Sequence, residues 1–285
     1  MIELQPSDPR YPERLRETSF APARLWLRGR LPPRHVPSVA IVGTRRMTDL
    51  GRRMARELAM VLARSGVVIV SGLAQGIDST AHAAAIAADG VTVAVLGEGL
   101  LFFETMGPVR RRRIASAILE RGALLSQFPV DAHGDRWSYP RRNATVAALG
   151  DAVVVIEAPR GSGALITAQY AVRIGRALFA IPGPPAAPTW QGSNQLISDG
   201  QAQLLTSADQ VATVLRVRLA ARGAEKSALG PLADRVVALL SGGPADVDAI
   251  ASAAGVASAD VATLLAEMLI GGVVIATGDG RFALR

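Results

Sequence analysis

Ser38-Val39-Ala40-Ile41-Val42-Gly43-Thr44-Arg45 is an apolar strand that runs into a glycine turn and then an arginine, with a helix-like segment behind it. A dinucleotide-binding loop of this shape would carry another glycine where Arg45 stands. The pattern returns one unit later. Val67-Val68-Ile69-Val70 leads into Ser71-Gly72-Leu73-Ala74-Gln75-Gly76-Ile77-Asp78. Two such turns at neighbouring strand ends suggest a phosphate-binding surface, and the arginine points to a polyanion.

Outward from these turns, apolar strands alternate with helical patterns. The spacing predicts strand 38–42, helix 49–65, strand 67–71, helix 78–88, strand 91–96, helix 109–121 and strand 123–127. Helix 141–149, strand 152–157, helix 163–174 and strand 177–181 follow. Continuous apolar strands such as Ala152-Val153-Val154-Val155-Ile156 suit a sheet buried on both faces. The alternation implies right-handed crossovers and an α/β fold with a doubly wound, mostly parallel sheet. Ligands of such sheets bind at the carboxyl ends of the strands, where the Gly43 and Gly72 turns fall.

Residues 1–37 read as an irregular, Pro- and Arg-rich extension, with Leu25-Trp26-Leu27 as a short strand. Proline makes residues 181–188 an exposed loop. Segments 192–197 and 201–205 and a helix from Ser207 to Ala221 complete a domain at 38–221. Residues 222–228 form a polar linker. In 229–285, helices at 232–240 and 246–254, a third capped by Ser258 and running to Ile270, and a terminal hairpin look like a winged helix-turn-helix.

The chain has 285 residues, 49% of them apolar, enough for a substantial core. It lacks cysteine, and His35, His82 and His133 show no metal spacing, so no metal site is expected. No apolar run spans a bilayer and the N-terminus lacks signal-peptide character; a cytoplasmic location is expected. Net charge is +7, and Lys226 is the sole lysine. From Pro231 onward Asp234, Asp246, Asp248, Asp260, Glu267 and Asp279 outnumber Arg235, Arg281 and Arg285, a balance of −3 that leaves +10 for the preceding part. A basic body with an acidic tail domain suggests nucleic acid on the body.

No G-x-G-x-x-G or P-loop pattern is present, so no cofactor is expected. Thr44 and Arg45 read either as phosphate contacts through N–H, hydroxyl and guanidinium, or as a plain turn with a solvated arginine. Gly72 and Gly76 either shape an anion cradle or only permit positive φ. Asp78 reads as a helix N-cap, His82 as structural, and Arg110-Arg111-Arg112-Arg113 as a solvated helix face. Arg136-Trp137-Ser138-Tyr139-Pro140-Arg141-Arg142-Asn143 interleaves rings and guanidinium groups, which suits base stacking and phosphate contact. Its alternative is a ring plugging the core. Ser162-Gly163-Ala164-Leu165-Ile166-Thr167 opens a helix that can present N–H groups to an anion. Glu157 is an acid at a strand end without a partner base nearby in sequence, and no catalytic set emerges. The third tail helix, with Asp260 and Glu267 and no base, favours protein contact or packing over reading DNA.

In order, these motifs closely resemble the DprA/Smf family of DNA-processing proteins. They are Ala40-Ile41-Val42-Gly43-Thr44-Arg45, Ser71-Gly72-Leu73-Ala74-Gln75-Gly76-Ile77-Asp78 with Ala81-His82, Ala94-Val95-Leu96-Gly97, Tyr139-Pro140-Arg141-Arg142-Asn143, Ser162-Gly163-Ala164-Leu165-Ile166-Thr167, Ile181-Pro182-Gly183 and Gly192-Ser193-Asn194. They cover about residues 38–205. The resemblance implies an extended Rossmann-like fold that binds single-stranded DNA and is not a known enzyme. It also implies homodimers that protect incoming strands in natural transformation and load RecA recombinase onto strands covered by single-strand-binding protein. Gly43, Thr44, Arg45, Gly72, Gln75, Gly76, Arg136, Tyr139, Arg142, Asn143, Ser162, Gly163 and Thr167 are its expected DNA-binding residues. Ala144, Gln127 and the stretch 98–107 depart from the family pattern, and the N-terminal helical domain of many members is expected to be reduced to residues 1–37. The alternative is a Rossmann-like phosphoribohydrolase acting on nucleotides, whose catalytic glutamate motif is missing at 160–167. A double-stranded DNA regulator working through the acidic tail is a third reading.

Overall fold

The computed structural model describes residues 1–219, 231–270, 273–277 and 280–284. It divides into two compact units, Met1–Ala220 and Ala221–Arg285. The expected linker at 222–228 lies outside the described residues.

In chain order the first unit runs β1 (Ile2–Leu4), α1 (Glu13–Arg16), β2 (Leu25–Gly29), β3 (Ser38–Val42), α2 (Asp49–Arg64), β4 (Val68–Ser71), α3 (Ile77–Ala87), β5 (Thr92–Leu96), α4 (Leu100–Met106), α5 (Val109–Leu119) and β6 (Ala123–Ser126). It continues with α6 (Ser138–Leu149), β7 (Ala152–Val155), α7 (Gly163–Arg173), β8 (Ala177–Ala180), a 3-10 turn at Pro188–Trp190, α8 (Gln191–Ser198), β9 (Gln203–Leu204) and α9 (Ala208–Leu215). The nine strands lie in the order β1-β2-β6-β5-β4-β3-β7-β8-β9. From β6 to β9 every pairing is parallel, and β1 and β2 add an antiparallel edge.

Every residue of β3, β4, β5, β6 and β7 is buried, because helices cover both faces. On one face Val42, Val70, Val95 and Val153 pack with Val146 and Ala147 of α6 and Ala168 and Ala171 of α7. On the other, Val39, Ile41, Ile69 and Val154 pack with Ala55 and Leu62 of α2 and Ile77 and Ala84 of α3. The chain winds from β3 outward to β6 and then returns to place β7 on the other side of β3. The crevice at the ends of β3 and β7 is therefore the topological switch point, the usual ligand site of such sheets.

Residues 1–37 include the expected strand at Leu25-Trp26-Leu27, within β2, but correct the expectation that the rest is an irregular extension. They supply β1, α1 and β2, and β2 pairs with β6 through Trp26 and Ser126, Leu27 and Leu125, Arg28 and Leu124, and Gly29 and Ala123. Leu4, Tyr11 and Leu15 are buried in the main core, and the Tyr11 hydroxyl donates to Pro22 O at 2.8 Å. Burying side chains of this size contributes about 1.5–3 kcal/mol each, so the segment belongs to the body. Arg14 fastens it further, with Nε donating to Asp151 Oδ1 at 2.6 Å. Two more expectations shift. Helix α6 starts at Ser138, not 141, because Asp135 Oδ1 accepts the N–H groups of Trp137 and Ser138 at 2.7 Å each. Helix α9 stops at Leu215, where Arg216 turns left-handed (φ 54°).

The second unit has α10 (Pro231–Leu240), α11 (Val247–Ala254), α12 (Ser258–Ile270) and a hairpin of β10 (Val274–Ala276) and β11 (Phe282–Leu284). Three helices and a two-stranded wing are the expected winged helix. Val236, Ile250, Val261, Leu265 and Val274 share its core. Asp246 caps α11 through Ala249 N. Ser258 is the first residue of α12, and its hydroxyl donates to Asp248 Oδ1 at 2.7 Å, which replaces the expected capping role.

Candidate functional site

Loop 43–48 leaves β3 and is pinned at both ends by one residue at the end of β7. Thr44 N donates to Glu157 O at 2.7 Å. Thr48 N and Oγ1 both donate to Glu157 Oε2, at 2.9 and 3.0 Å. Thr48 in turn caps α2 by accepting from Gly51 N. Glu157 is fully buried and acts as the loop's anchor. Between the anchors, Arg45 and Arg46 stand exposed. The expected phosphate role of the Thr44 N–H is corrected by this geometry. That N–H is taken by Glu157 O, the side chain is buried, and its hydroxyl accepts from Arg46 N at 3.1 Å.

Loop 72–76 packs against loop 43–48. Gly76 has φ 91°, and a Cβ there would lie 2.8 Å from Arg45 Cα, so both conformation and contact call for glycine. Ile77 N donates to Thr44 O at 3.2 Å and joins the loops. Leu73 is fully buried and left-handed at φ 53°. That conformation costs about 1–2 kcal/mol for a non-glycine residue. Arg111 Nε donates to its carbonyl at 2.8 Å and holds it. Asp78 lies inside α3, with Gly76 as the N-cap. Its Oδ2 accepts from Gly72 N at 3.2 Å and Ala74 N at 3.4 Å, so it clamps the loop and does not cap the helix.

Arg142 is 4% exposed. Its Nη1 donates to Gly72 O and, at 2.6 Å, to Val95 O. A Cβ on Gly72 would sit 2.5 Å from the guanidinium carbon. Burial pushes the Arg142 pKa down, and the nearby Asp78 and Glu98 carboxylates oppose it. Burial likewise pushes the Asp78 carboxyl up, with Arg142 opposing. The expectation of Arg142 as a phosphate ligand therefore gives way to a positioning role.

Tyr139, half-buried, packs on Gly97. Arg45 Cζ lies 5.2 Å from its ring centroid and Arg142 Cζ 6.0 Å, both within cation–π range. Arg45, Gly72, Ala74, Gln75, Arg111, Tyr139 and Arg142 together line a cavity of about 180 Å³. No carboxylate is among its described lining residues.

The structure thus gathers Gly72, Gln75, Arg45, Tyr139 and Arg142 at one site, with Gly43, Thr44 and Gly76 as its loop frame. Other expected residues lie apart. Arg136 is exposed and lies over the exposed Trp137 ring at 5.0 Å, outside the cavity lining. Asn143 ties α6 to α7, its Nδ2 donating to Gly163 O at 2.9 Å. Ser162 caps α7 through Ala164 N. Thr167 is buried and out of reach of a surface ligand.

Arg111 is the contributor that the sequence reading missed. Its Nη1 meets Glu98 Oε1 at 2.7 Å, and Glu98 is 3% exposed. Four consecutive helical residues point about 100° apart, so one of Arg110–Arg113 had to face inward. That was the available signal. His82 is structural as expected: fully buried, with Nδ1 2.7 Å from the Thr92 hydroxyl, which itself donates to Ile69 O. Burial lowers its pKa to about 3.

No group of three or more metal-ligating side chains occurs among the described residues. No single described helix is long and apolar enough to cross a membrane.

Residues 3–216 match the family described as DNA recombination-mediator protein A, and residues 220–280 the DprA winged helix domain. The Escherichia coli Protein Smf is 37% identical over 285 residues, covering 96% of this chain and 75% of the relative. The Synechocystis Protein Smf is 40% identical over 230 residues, covering 79% of this chain and 57% of that protein, so the chain spans little more than half of its length. Among solved structures, DNA processing protein A from Streptococcus pneumoniae superposes with a TM-score of 0.68 at 34% identity, covering 74% of this chain and 73% of that one. The Helicobacter pylori protein, described as having a unique single-stranded DNA binding mode, gives 0.64 at 29% identity, covering 72% and 92%.

Proposed function

We propose that this chain, which belongs to the DprA/Smf family of DNA recombination-mediator proteins, binds single-stranded DNA at the Arg45–Tyr139 cavity as a non-enzymatic chaperone. The observation that carries this reading is a half-buried tyrosine ring within cation–π range of two guanidinium groups, beside the loops that follow β3 and β4, in a cavity with no carboxylate among the described lining residues. A base stacked on such a ring gains about 1–3 kcal/mol. Arg45, exposed and at the loop apex, supplies the phosphate contact. The Helicobacter pylori relative's single-strand binding supports the same ligand class here.

In the cytoplasm, a homodimer would hold two stretches of strand. It would protect incoming DNA in transformation and offer the neighbouring nucleotides to RecA recombinase on strands covered by single-strand-binding protein. The phosphoribohydrolase reading finds no support in Glu157, which is buried and bonded to Thr48.

The test is equilibrium binding of oligo-dT over a salt series, with unlabelled duplex as competitor. Wild type should prefer the single strand, with log K falling at a slope of about −0.7 per phosphate contact. Arg45→Ala should bind more weakly and lose about one contact's slope. Equal binding by Arg45→Ala across the series would overturn the assignment.

A further inference from the structure

A second concavity adjoins the Tyr139 cavity and shares Arg45, Gln75 and Arg111 with it. It is walled by α2, α3 and α5 and measures about 710 Å³ against about 180 Å³. Arg46, Arg52, Arg56 and Arg110 add four more guanidinium groups to its walls, and neither an acid nor an aromatic ring is among its described lining residues. Its α3 wall carries small side chains such as Ala83 and Ala87. The hydroxyls of Ser79 and Thr80 donate to Ala74 O and Gly76 O, so the arginines supply the groove's charged donors.

Three of these four arginines have no ion-pair partner among the described residues. Arg46, Arg56 and Arg110 have no carboxylate within 4 Å among the described residues, and Arg52 has an open surface pair with Asp49. Arg52 and Arg56 stand one helical turn apart on α2, where like charges repel. A groove with three cations that lack a carboxylate partner among the described residues, beside a base-stacking cavity, is complementary to a chain of phosphates. Without a ring it offers no platform for bases.

We infer that this groove is a backbone-only track for the single strand that continues out of the Tyr139 cavity, gripping phosphates without reading or stacking bases. The inference rests on the single-strand reading of that cavity. It predicts a footprint in two parts: a short stacked segment, and a longer segment bound by charge alone and indifferent to sequence.

The test uses the full chain and oligo-dT of about 4 and about 16 nucleotides, lengths within the range of known single-strand sites. Arg56→Ala/Arg110→Ala removes one exposed guanidinium from each of two walls. Arg173→Ala, on the surface of α7, is the control for overall charge. The double variant should bind the short oligomer as wild type does. For the long one, its salt slope should shrink by about 1.4, two contacts' worth, while Arg173→Ala changes neither. Unchanged long-oligomer binding would overturn the track. So would an equal loss on both lengths, which would make the arginines a general field. So would a loss confined to duplex DNA, which would assign the groove to duplex. If Arg45→Ala leaves short-oligomer binding intact, the cavity reading fails separately, whatever the groove does.

Discussion

Arg142→Met separates a strut from a phosphate ligand. Methionine keeps an unbranched apolar stem and removes the guanidinium. Two buried carbonyls, Gly72 O and Val95 O, then lose the donor that satisfies them. Each buried acceptor left unpaired costs about 1–3 kcal/mol, so the pair accounts for about 2–6 kcal/mol. Asp78 limits any further loss. Its carboxyl is already pushed up by burial with Arg142 opposing, so removing the guanidinium lets it take a proton instead of remaining an unpaired buried charge. A loss of this size is a large part of a domain's usual stability of about 5–15 kcal/mol. All three tryptophans, Trp26, Trp137 and Trp190, lie in the first unit, so their fluorescence follows that unit during urea unfolding. With a slope of about 2 kcal/mol/M, the midpoint should fall by about 1–3 M. Arg142→Met/Asp78→Asn should lose less than the sum of the two single variants, because the groups share one network. A wild-type midpoint combined with a large drop in oligo-dT affinity would refute the strut and restore Arg142 as a DNA ligand.

Tyr139→Leu should weaken oligo-dT binding about 5- to 150-fold, from a stacking loss of about 1–3 kcal/mol. Tyr139→Phe should bind nearly as wild type, and equal losses in the two would show that the hydroxyl matters and stacking does not. Gly76→Ala should destabilise more than Gly161→Ala in urea unfolding. Both positions have positive φ, but only the first would press a Cβ onto Arg45. Gly76, at φ 91° and ψ −129°, also sits where an L side chain is rarely found, which adds to the cost of the contact; Gly76→Ala should also weaken DNA binding, and equal effects of the two substitutions would refute the reasoning. His82 gives a pH prediction. Burial, helped by the Arg142 charge, lowers its pKa from 6.5 to about 3. Below pH 6.5 the unfolded chain therefore takes up a proton that the folded chain refuses until about pH 3. Stability is fully present above 6.5 and falls as pH falls through that window, by up to about 1.4 kcal/mol per unit. Asp78 works in the opposite sense, its contribution fading as pH rises past 3.8, so the comparison must be made against a variant. His82→Gln should flatten the acid limb, and an unchanged limb between pH 6.5 and 4 would refute a neutral buried His82.

What was legible in the sequence follows from the range of each interaction. Strands β3 and β7 were readable because burial on both faces leaves an unbroken apolar run at each. Exposed Arg45 was readable because a charged residue two positions after a strand-end glycine has few places to go. Of the N-terminal edge only the strand at Leu25-Trp26-Leu27 was readable, and it is part of β2. Three- and four-residue elements are too short to show a period, and β2 is held by β6, about a hundred residues away. Stretch 98–107 was opaque for a related reason: it holds α4 and the buried Glu98, whose partner Arg111 lies in a run that looked uniformly solvated. The site's central misreading concerns Arg141 and Arg142. The two are adjacent and chemically identical in sequence, yet one is exposed and the other fills the space beside Gly72. Nothing local tells them apart. The acceptors that draw Arg142 inward are backbone carbonyls at positions 72 and 95, and backbone leaves no residue-type signature. The positive φ that the sequence offered as a reason for Gly72 does not apply, and its spatial reason is that guanidinium, seventy positions later in the chain. Glycine and arginine form one device that sets the floor of the cavity, and it becomes visible only when β4, β5 and α6 are brought together.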